Sequence, residues 1–337
     1  MAGLSLQELS DSLGQKVTKQ ALSKYELGLM KPTSDVLLAI ASLLRLKPEY
    51  FLKKDQVELG EILFRKKVSL QKKNEESIIE KARDYVERYL EIENILNVDN
   101  TFHNPLEEHL IHNYKDVEAA SERLRTLWEL GNNPISNIVE MLELRGVKIL
   151  LINEVDDFDG FATFAANGIP FIVVNTSNKS TERIRFTIIH ELAHLLLRID
   201  ETIKNQEEKL CHCFSTGFLI PSNMLIKMIG GAKRSYIAIN ELISIKEYYG
   251  ISIGAIVHRL KELEIITPNY YNRWVIYMSK TYGKKNEPGN YKGEEKLTNF
   301  EQLVNRALSE GLISLSKAAS LRNINVNELR KEFISVS

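Results

Sequence analysis

One five-residue run limits the fold of this 337-residue chain more than any other feature. Residues 190–194 read H-E-x-x-H, with His190, Glu191 and His194 inside a longer apolar stretch that has helical spacing. Residues four apart on a helix share one face. The two imidazoles can therefore bind one zinc ion, with Glu191 beside them to act on a coordinated water. The run predicts a helix that carries two metal ligands and an acidic group.

Composition is that of an ordinary soluble protein with two or three domains. The chain is 44% hydrophobic and 26% charged, and its net charge of −1 neither favours nor excludes a nucleic-acid partner. Its two cysteines, Cys211 and Cys213, lie one residue apart and are expected to stay unpaired. Few cysteines and the lack of a signal peptide favour a cytoplasmic location. The apolar runs are too short to span a bilayer, so no membrane partner is expected.

The first fifty residues predict short helices around one small core. Thr18 is a suitable N-cap for a helix that continues to Glu26, and Gly28 is a suitable stop. Residues 4–10, 17–28 and 31–32 resemble the Xre/Cro-CI helix-turn-helix family. That family has a further helix before the point at which this chain begins, so the first helix of the module is expected to be missing.

This resemblance implies a DNA-recognition helix from about Thr18 to Glu26. The side chains expected to face base edges are Lys19, Gln20 and Ser23, and Lys24 is expected to favour phosphate. DNA is therefore a candidate partner. The alternative is a small helical bundle that only packs or dimerises, because a fold does not by itself imply a function.

Strand patterns come directly before the H-E-x-x-H helix. Residues 147–152, 160–166 and 169–175 are β-rich, and Asn167-Gly168 between the last two is a strong hairpin signal. Pro170 indicates either a strand start or an edge position. We therefore predict a small antiparallel sheet followed by a helix that Thr181 caps.

Two histidines do not complete a catalytic zinc site, which normally takes three protein ligands and leaves one position for water. The next predicted helix, residues 207–219, is the nearest source of the third. The residues alone leave five candidates on that helix: Glu207, Glu208, Cys211, His212 and Cys213. The two cysteines are more readily explained as small core residues.

Residues 120–222 resemble the ImmA/IrrE family of metallopeptidases. The resemblance is carried by R-F-T-I-I-H-E-L-A-H at 185–194, I-V-V-N at 172–175, and E-x-x-C-H-x-F-S from Glu208 onward. The family has E-x-x-A-N-x-F-A in the last stretch, and its glutamate is the third metal ligand, which implies Glu208 here. Cys211 and His212 depart from the pattern. His212, one turn past Glu208, could compete for the metal or support it.

The expected fold class is α+β and mainly helical. It combines an N-terminal helix-turn-helix bundle with a zincin-like domain that carries the small sheet. The predicted division is a helix-turn-helix module at 1–54, a helical connector at 55–117, the metallopeptidase domain at 118–268 and a C-terminal helical region at 269–337. Within the last region, residues 283–295 are rich in Gly, Lys, Glu and Asn and predict an exposed loop.

The resemblance implies a zinc-dependent endopeptidase with Glu191 as its proton acceptor. The implied substrate is a helix-turn-helix repressor that controls stress or mobile-element genes. We expect the peptide to lie extended along a sheet edge near Phe171 to Val174, by strand addition. The alternative is a transcriptional regulator or antitoxin-like protein whose zincin-like domain senses or docks without proteolysis. A homodimer is a further arrangement that the sequence leaves open.

Overall fold

The structure is a computed structural model that describes residues 4–44, 48, 51, 59–60, 72–98, 101–153, 158–283 and 286–334. Fifteen α-helices and five short strands lie within these ranges. None of these helices has both the length and the apolar character needed to cross a bilayer. The chain divides into two compact units, residues 1–58 with 69–87 and residues 59–68 with 88–337. The four-part division given above stays a prediction.

The first unit contains α1 (Leu6–Ser12), α2 (Lys19–Glu26), α3 (Ser34–Leu44) and the first part of α4 (Lys72–Ile95). Ser5 caps α1, and the Thr18 side chain accepts a hydrogen bond from the Ala21 backbone N–H, so Thr18 caps α2 as its sequence predicts. A small core joins the three short helices, and its buried members are Leu13, Val17, Leu22 and Ile40.

The second unit begins its regular structure with the end of α4 and is built mainly from helices. Its helices and strands before the H-E-x-x-H run are β1 (Leu110–Ile111), α5 (Tyr114–Leu127), α6 (Ile138–Glu143), β2 (Lys148–Ile152), β3 (Gly160–Ala165) and β4 (Ile169–Asn175). Those that follow are α7 (Thr181–Leu196), β5 (Arg198–Ile199), α8 (Glu207–Leu219), α9 (Ser222–Met228), α10 (Ile239–Tyr249), α11 (Ile253–Glu262), α12 (Pro268–Thr281), α13 (Asn299–Ser309), α14 (Leu315–Leu321) and α15 (Val326–Ile334).

The main sheet has the strand order β2-β4-β3. The predicted hairpin is present: β3 and β4 are antiparallel, and Asn167 and Gly168 between them both have positive φ. The prediction of a purely antiparallel sheet is wrong, because β2 pairs with β4 in parallel. Since β4 is hydrogen-bonded on both sides, Phe171 to Val174 lie on the central strand, and the expected edge position there is also wrong. Pro170 instead marks the start of β4.

The helix α7 packs between the sheet and α8 and contributes to the largest hydrophobic core. Its N-cap is Ser180, whose side chain accepts a hydrogen bond from the Arg183 backbone N–H, and not Thr181 as predicted. Thr181 is the first helical residue, so the cap lies one position earlier. Ile188, Ile189 and Leu192 are fully buried on this helix, which fixes how it is rotated against the sheet.

The predicted α+β, mainly helical class with an N-terminal helix-turn-helix is confirmed. The segment 286–298 has no regular structure, and Gly289, Asn290, Lys292 and Glu294 are exposed, as the predicted loop at 283–295 requires, but two of its side chains pack inward. The Glu295 side chain is only 2% exposed and forms an ion pair with the buried Arg185 of α7. Tyr291 also stacks on that guanidinium, with its ring centroid 4.9 Å from Arg185 Cζ.

Candidate metal centre

The helix α7 brings the two histidines of the run together. His190 is fully buried and the His194 side chain is 21% exposed. Their Nε2 atoms lie 3.1 Å apart, as expected for residues that share one face of a helix. Glu191, which follows His190 in the sequence, is also buried. The local helix thus gathers two nitrogen donors and one carboxylate at one end of α7.

The first turn of α8 supplies a second carboxylate at the same point. Glu208 places Oε2 3.6 Å from His190 Nε2 and Oε1 3.4 Å from His194 Nε2. The helix α8 packs along α7, so its first residues meet the last turns of the H-E-x-x-H helix. His190, His194 and Glu208, which the sequence predicted as a set, are therefore brought together.

The spacing of these three donors suits zinc. Bonds of about 2.0–2.1 Å in a tetrahedral shell hold neighbouring ligand atoms roughly 3.4 Å apart. The three distances here are 3.1, 3.4 and 3.6 Å. Two imidazoles with one carboxylate form a donor set known for catalytic zinc. The residues present fit the ion that the sequence implies.

His212 also lies near this centre. Among the described residues, ligand atoms of His190, Glu208 and His212 all lie within 4.8 Å of one another. The His212 ring centroid is 4.7 Å from that of His190 and 5.2 Å from that of Phe186. His190 and Glu208 therefore belong to two overlapping groups, one completed by His194 and the other by His212.

The two cysteines of α8 are free and buried. Burial raises the pKa of the Cys213 thiol to about 12 and also raises that of Cys211. Since metal binding requires a thiolate, this supports their interpretation as packed core residues. Cys211 Sγ nevertheless lies 3.7 Å from His194 Nδ1.

The surroundings of His194 favour positive charge. Burial lowers the pKa of His194, but hydrogen bonds to Cys211 and Glu208 and the charge of Glu191 raise it to about 11. The same acidic groups that attract a proton to this ring attract a metal cation. Because a metal must displace that proton, binding is expected to weaken as the pH falls.

The strand β3 passes close to α7 beside Glu191. A Cβ atom added at Gly160 of β3 would lie 2.8 Å from the Val173 carbonyl oxygen and 3.4 Å from Glu191 Cγ. It would also lie 3.0 Å from Thr187 Cγ2 of α7, so β3 can pass this near to α7 only with glycine at position 160, a requirement that no local sequence signal indicates. In the order β2-β4-β3, β3 is an edge strand, and it runs next to the acidic residue of the H-E-x-x-H run.

A groove of about 3010 Å³ opens over this centre. Its walls include Glu191, His194, Glu208, His212 and Phe164. The groove is far larger than a pocket for one small molecule, which commonly measures about 300–1,000 Å³. Its size suits an extended chain.

In the first unit, α2 carries the four residues predicted to contact DNA. Lys19, Gln20 and Lys24 are exposed and Ser23 is half-buried. Leu22, on the same helix, is buried in the small core of the first unit. The helix thus presents a polar face with two lysines.

Comparison with known families agrees with both resemblances. Residues 145–261 match the peptidase family described as the IrrE N-terminal-like domain, and residues 1–51 match the family described as helix-turn-helix. The first match contains the two histidines and Glu208. No curated protein matches the chain by sequence. The chain carries a metallopeptidase-like domain joined to a helix-turn-helix module.

Proposed function

We propose that this chain is a zinc-dependent endopeptidase joined to a DNA-binding module, and that it cleaves a helix-turn-helix repressor to release stress or mobile-element genes. One observation carries the enzymatic part of the proposal. The ligand atoms of His190, His194 and Glu208 lie 3.1–3.6 Å from one another beside Glu191. They face a large groove.

His190, His194 and Glu208 would hold the ion. When bound, zinc supplies a Lewis acid that lowers the pKa of a coordinated water to about 7. Glu191 would be the proton carrier, taking up a proton as water attacks the peptide carbonyl and delivering it to the leaving amine. Its burial beside the two histidines keeps the carboxylate close to the reacting atoms and away from bulk solvent.

The substrate is proposed to pair with β3 and not with the central strand β4. Backbone groups of Gly160 and Ala162 that point away from β4 lie at the end of β3 nearest Glu191. At the far end, the Phe164 carbonyl oxygen already accepts a hydrogen bond from the Gly60 N–H at 2.7 Å. An extended peptide would add a strand at the near end, where backbone pairing is independent of side chains.

The helix-turn-helix module is proposed to hold the enzyme at DNA. Lys19, Gln20 and Ser23 would face base edges and Lys24 a phosphate, and the exposed polar face of α2 supports this assignment. A peptidase placed at an operator would meet a DNA-bound repressor at high local concentration.

The test is incubation of the purified chain, loaded with zinc, with repressors encoded beside its gene. Glu191→Gln should retain one zinc per chain and lose cleavage, because the amide cannot accept the proton. Glu201→Gln is the matched control, since this exposed glutamate pairs with Lys204 on the surface, and it should cleave at the normal rate. Equal cleavage by Glu191→Gln and the wild type would exclude the mechanism. Metal binding without cleavage of any repressor would favour a sensing or docking role.

A further inference from the structure

His194 is contacted by carboxylates on both of its ring nitrogens. Glu208 Oε1 lies 3.4 Å from Nε2, and Glu207 Oε1 lies 3.0 Å from Nδ1. The two glutamates are adjacent residues at the start of α8. They have different positions around the same imidazole, so their roles cannot be the same.

We propose that Glu207 is a positioning residue that fixes the tautomer and orientation of His194. A carboxylate oxygen accepts a hydrogen bond from a ring N–H, so the contact at 3.0 Å holds a proton on Nδ1, and that proton stays there when a metal takes the place of the one on Nε2. The lone pair then lies on Nε2, which points to His190 Nε2 and Glu208. This is the tautomer that a metal ligand at Nε2 needs.

His194 needs such a partner more than His190 does. His190 is fully buried, so packing restricts its ring. His194 lies in the last turn of α7, which ends at Leu196, and its side chain is 21% exposed. A ring that is partly free of packing is oriented by its hydrogen bonds.

The start of α8 holds Glu207 in place beside His194. Glu207 is the first residue of α8, and its backbone N–H donates a hydrogen bond to the carbonyl oxygen of Lys204 in the preceding 3₁₀ turn. Cys211 is the competing partner of Nδ1, but its sulfur lies at 3.7 Å and is a weak acceptor. The contact with Glu207, at 3.0 Å, is the shorter of the two.

Glu207 is also distinct from a ligand. It approaches the nitrogen on the far side of the ring from the point where His190, His194 and Glu208 meet. A carboxylate that orients a ligating histidine typically contributes 10–100-fold to metal affinity or activity. If Glu207 were only one half of a surface ion pair, its removal would change metal affinity very little.

The experiment measures the zinc dissociation constant of the full chain by competition with a chelator. Glu207→Ala should weaken zinc binding by about 10–100-fold, and Glu207→Gln by less, because the amide oxygen can still accept from Nδ1. Glu201→Gln, in the turn before α8, is the matched control and should bind zinc normally. Thermal unfolding of each variant in excess chelator should match the wild type, which separates lost affinity from lost folding.

A second readout is the ¹⁵N NMR spectrum of the His194 ring in the zinc-loaded protein. The wild type should show the Nδ1–H tautomer, and Glu207→Ala should show faster exchange of that proton with solvent. Zinc affinity within twofold of the wild type in Glu207→Ala, with an unchanged ring spectrum, would overturn the proposal.

This inference rests on the proposed metal site, and the two can fail separately. Wild-type protein that binds no zinc would end the proposed function. Wild-type protein that binds zinc tightly, loses it in Glu208→Ala and keeps it in Glu207→Ala would end this inference alone.

Discussion

The ion pair between Arg185 and Glu295 offers a test of how the metal-carrying helix is held. Both side chains are almost fully buried, at 0% and 2% exposure. Glu295 also accepts hydrogen bonds from the backbone N–H groups of Ile138 at 2.7 Å and Val139 at 3.0 Å, at the start of α6. Glu295→Gln keeps the shape of the side chain but leaves the buried guanidinium without a counter-charge.

Removing one partner of a buried pair typically costs about 3–5 kcal/mol. Burial raises the pKa of Glu295 even though Arg185 and the two backbone N–H groups lower it. Desolvation therefore offsets part of the attraction, and we expect the lower end of the range, about 3 kcal/mol. Arg185 also retains the carbonyl oxygens of Gly250 and Ile135 as acceptors.

The assay is urea unfolding followed by tryptophan fluorescence. Both tryptophans, Trp128 and Trp274, belong to the second unit, so the signal reports on that unit alone. Glu294→Gln is the control, because Glu294 pairs with Lys296 at the surface, and its urea unfolding should match that of the wild type. A loss below about 1 kcal/mol in Glu295→Gln, or an equal loss in the control, would refute the reasoning.

Three further predictions concern other parts of the molecule. Burial raises the pKa of Glu143 to about 7. Because the carboxyl group ionises less readily in the folded state than in the unfolded state, the free energy of unfolding falls as the pH rises from the ordinary pKa of a glutamate to about 7. Glu143→Gln should remove about 2.5 kcal/mol of that fall between pH 5 and 8, and parallel pH profiles of unfolding free energy would contradict it. Gly160→Ala should destabilise the second unit by about 1–3 kcal/mol and displace Glu191, and unchanged unfolding and cleavage would contradict the close approach. Lys19→Ala and Lys24→Ala should weaken operator binding measured by fluorescence anisotropy, and Lys24→Ala should reduce the salt slope by about 0.9; no DNA complex at low salt would remove the module's assigned role.

Local sequence signals predicted the elements that depend on neighbours along the chain. The Asn167-Gly168 turn, the cap at Thr18 and the bounds of α8 all follow from short-range preferences. The H-E-x-x-H spacing likewise predicted that His190 and His194 would meet, because helix geometry alone fixes that contact.

Features that depend on distant segments were not predicted. The parallel pairing of β2 with β4 makes β4 central, and nothing in residues 169–175 indicates which strand lies beside them. Residues 283–295 have the composition of a loop, yet Glu295 pairs with an arginine 110 positions away. Such pairs are selected by charge complementarity in the folded state, which local composition does not record.

The candidate site shows the same division. Five residues on α8 could have supplied the third ligand, and the resemblance to a family, not spacing, selected Glu208. The distances of 3.4 and 3.6 Å agree with that selection. The different role proposed for Glu207 depends on how α8 is rotated against α7. Two adjacent glutamates in the sequence do not indicate that rotation.

The most direct test of the metal centre is anomalous X-ray diffraction at the zinc absorption edge, from crystals of the zinc-loaded chain. We predict one peak about 2.0–2.2 Å from Nε2 of His190, Nε2 of His194 and a carboxylate oxygen of Glu208. A peak held by His190, Glu208 and His212 without His194, or no peak at this position, would contradict the account.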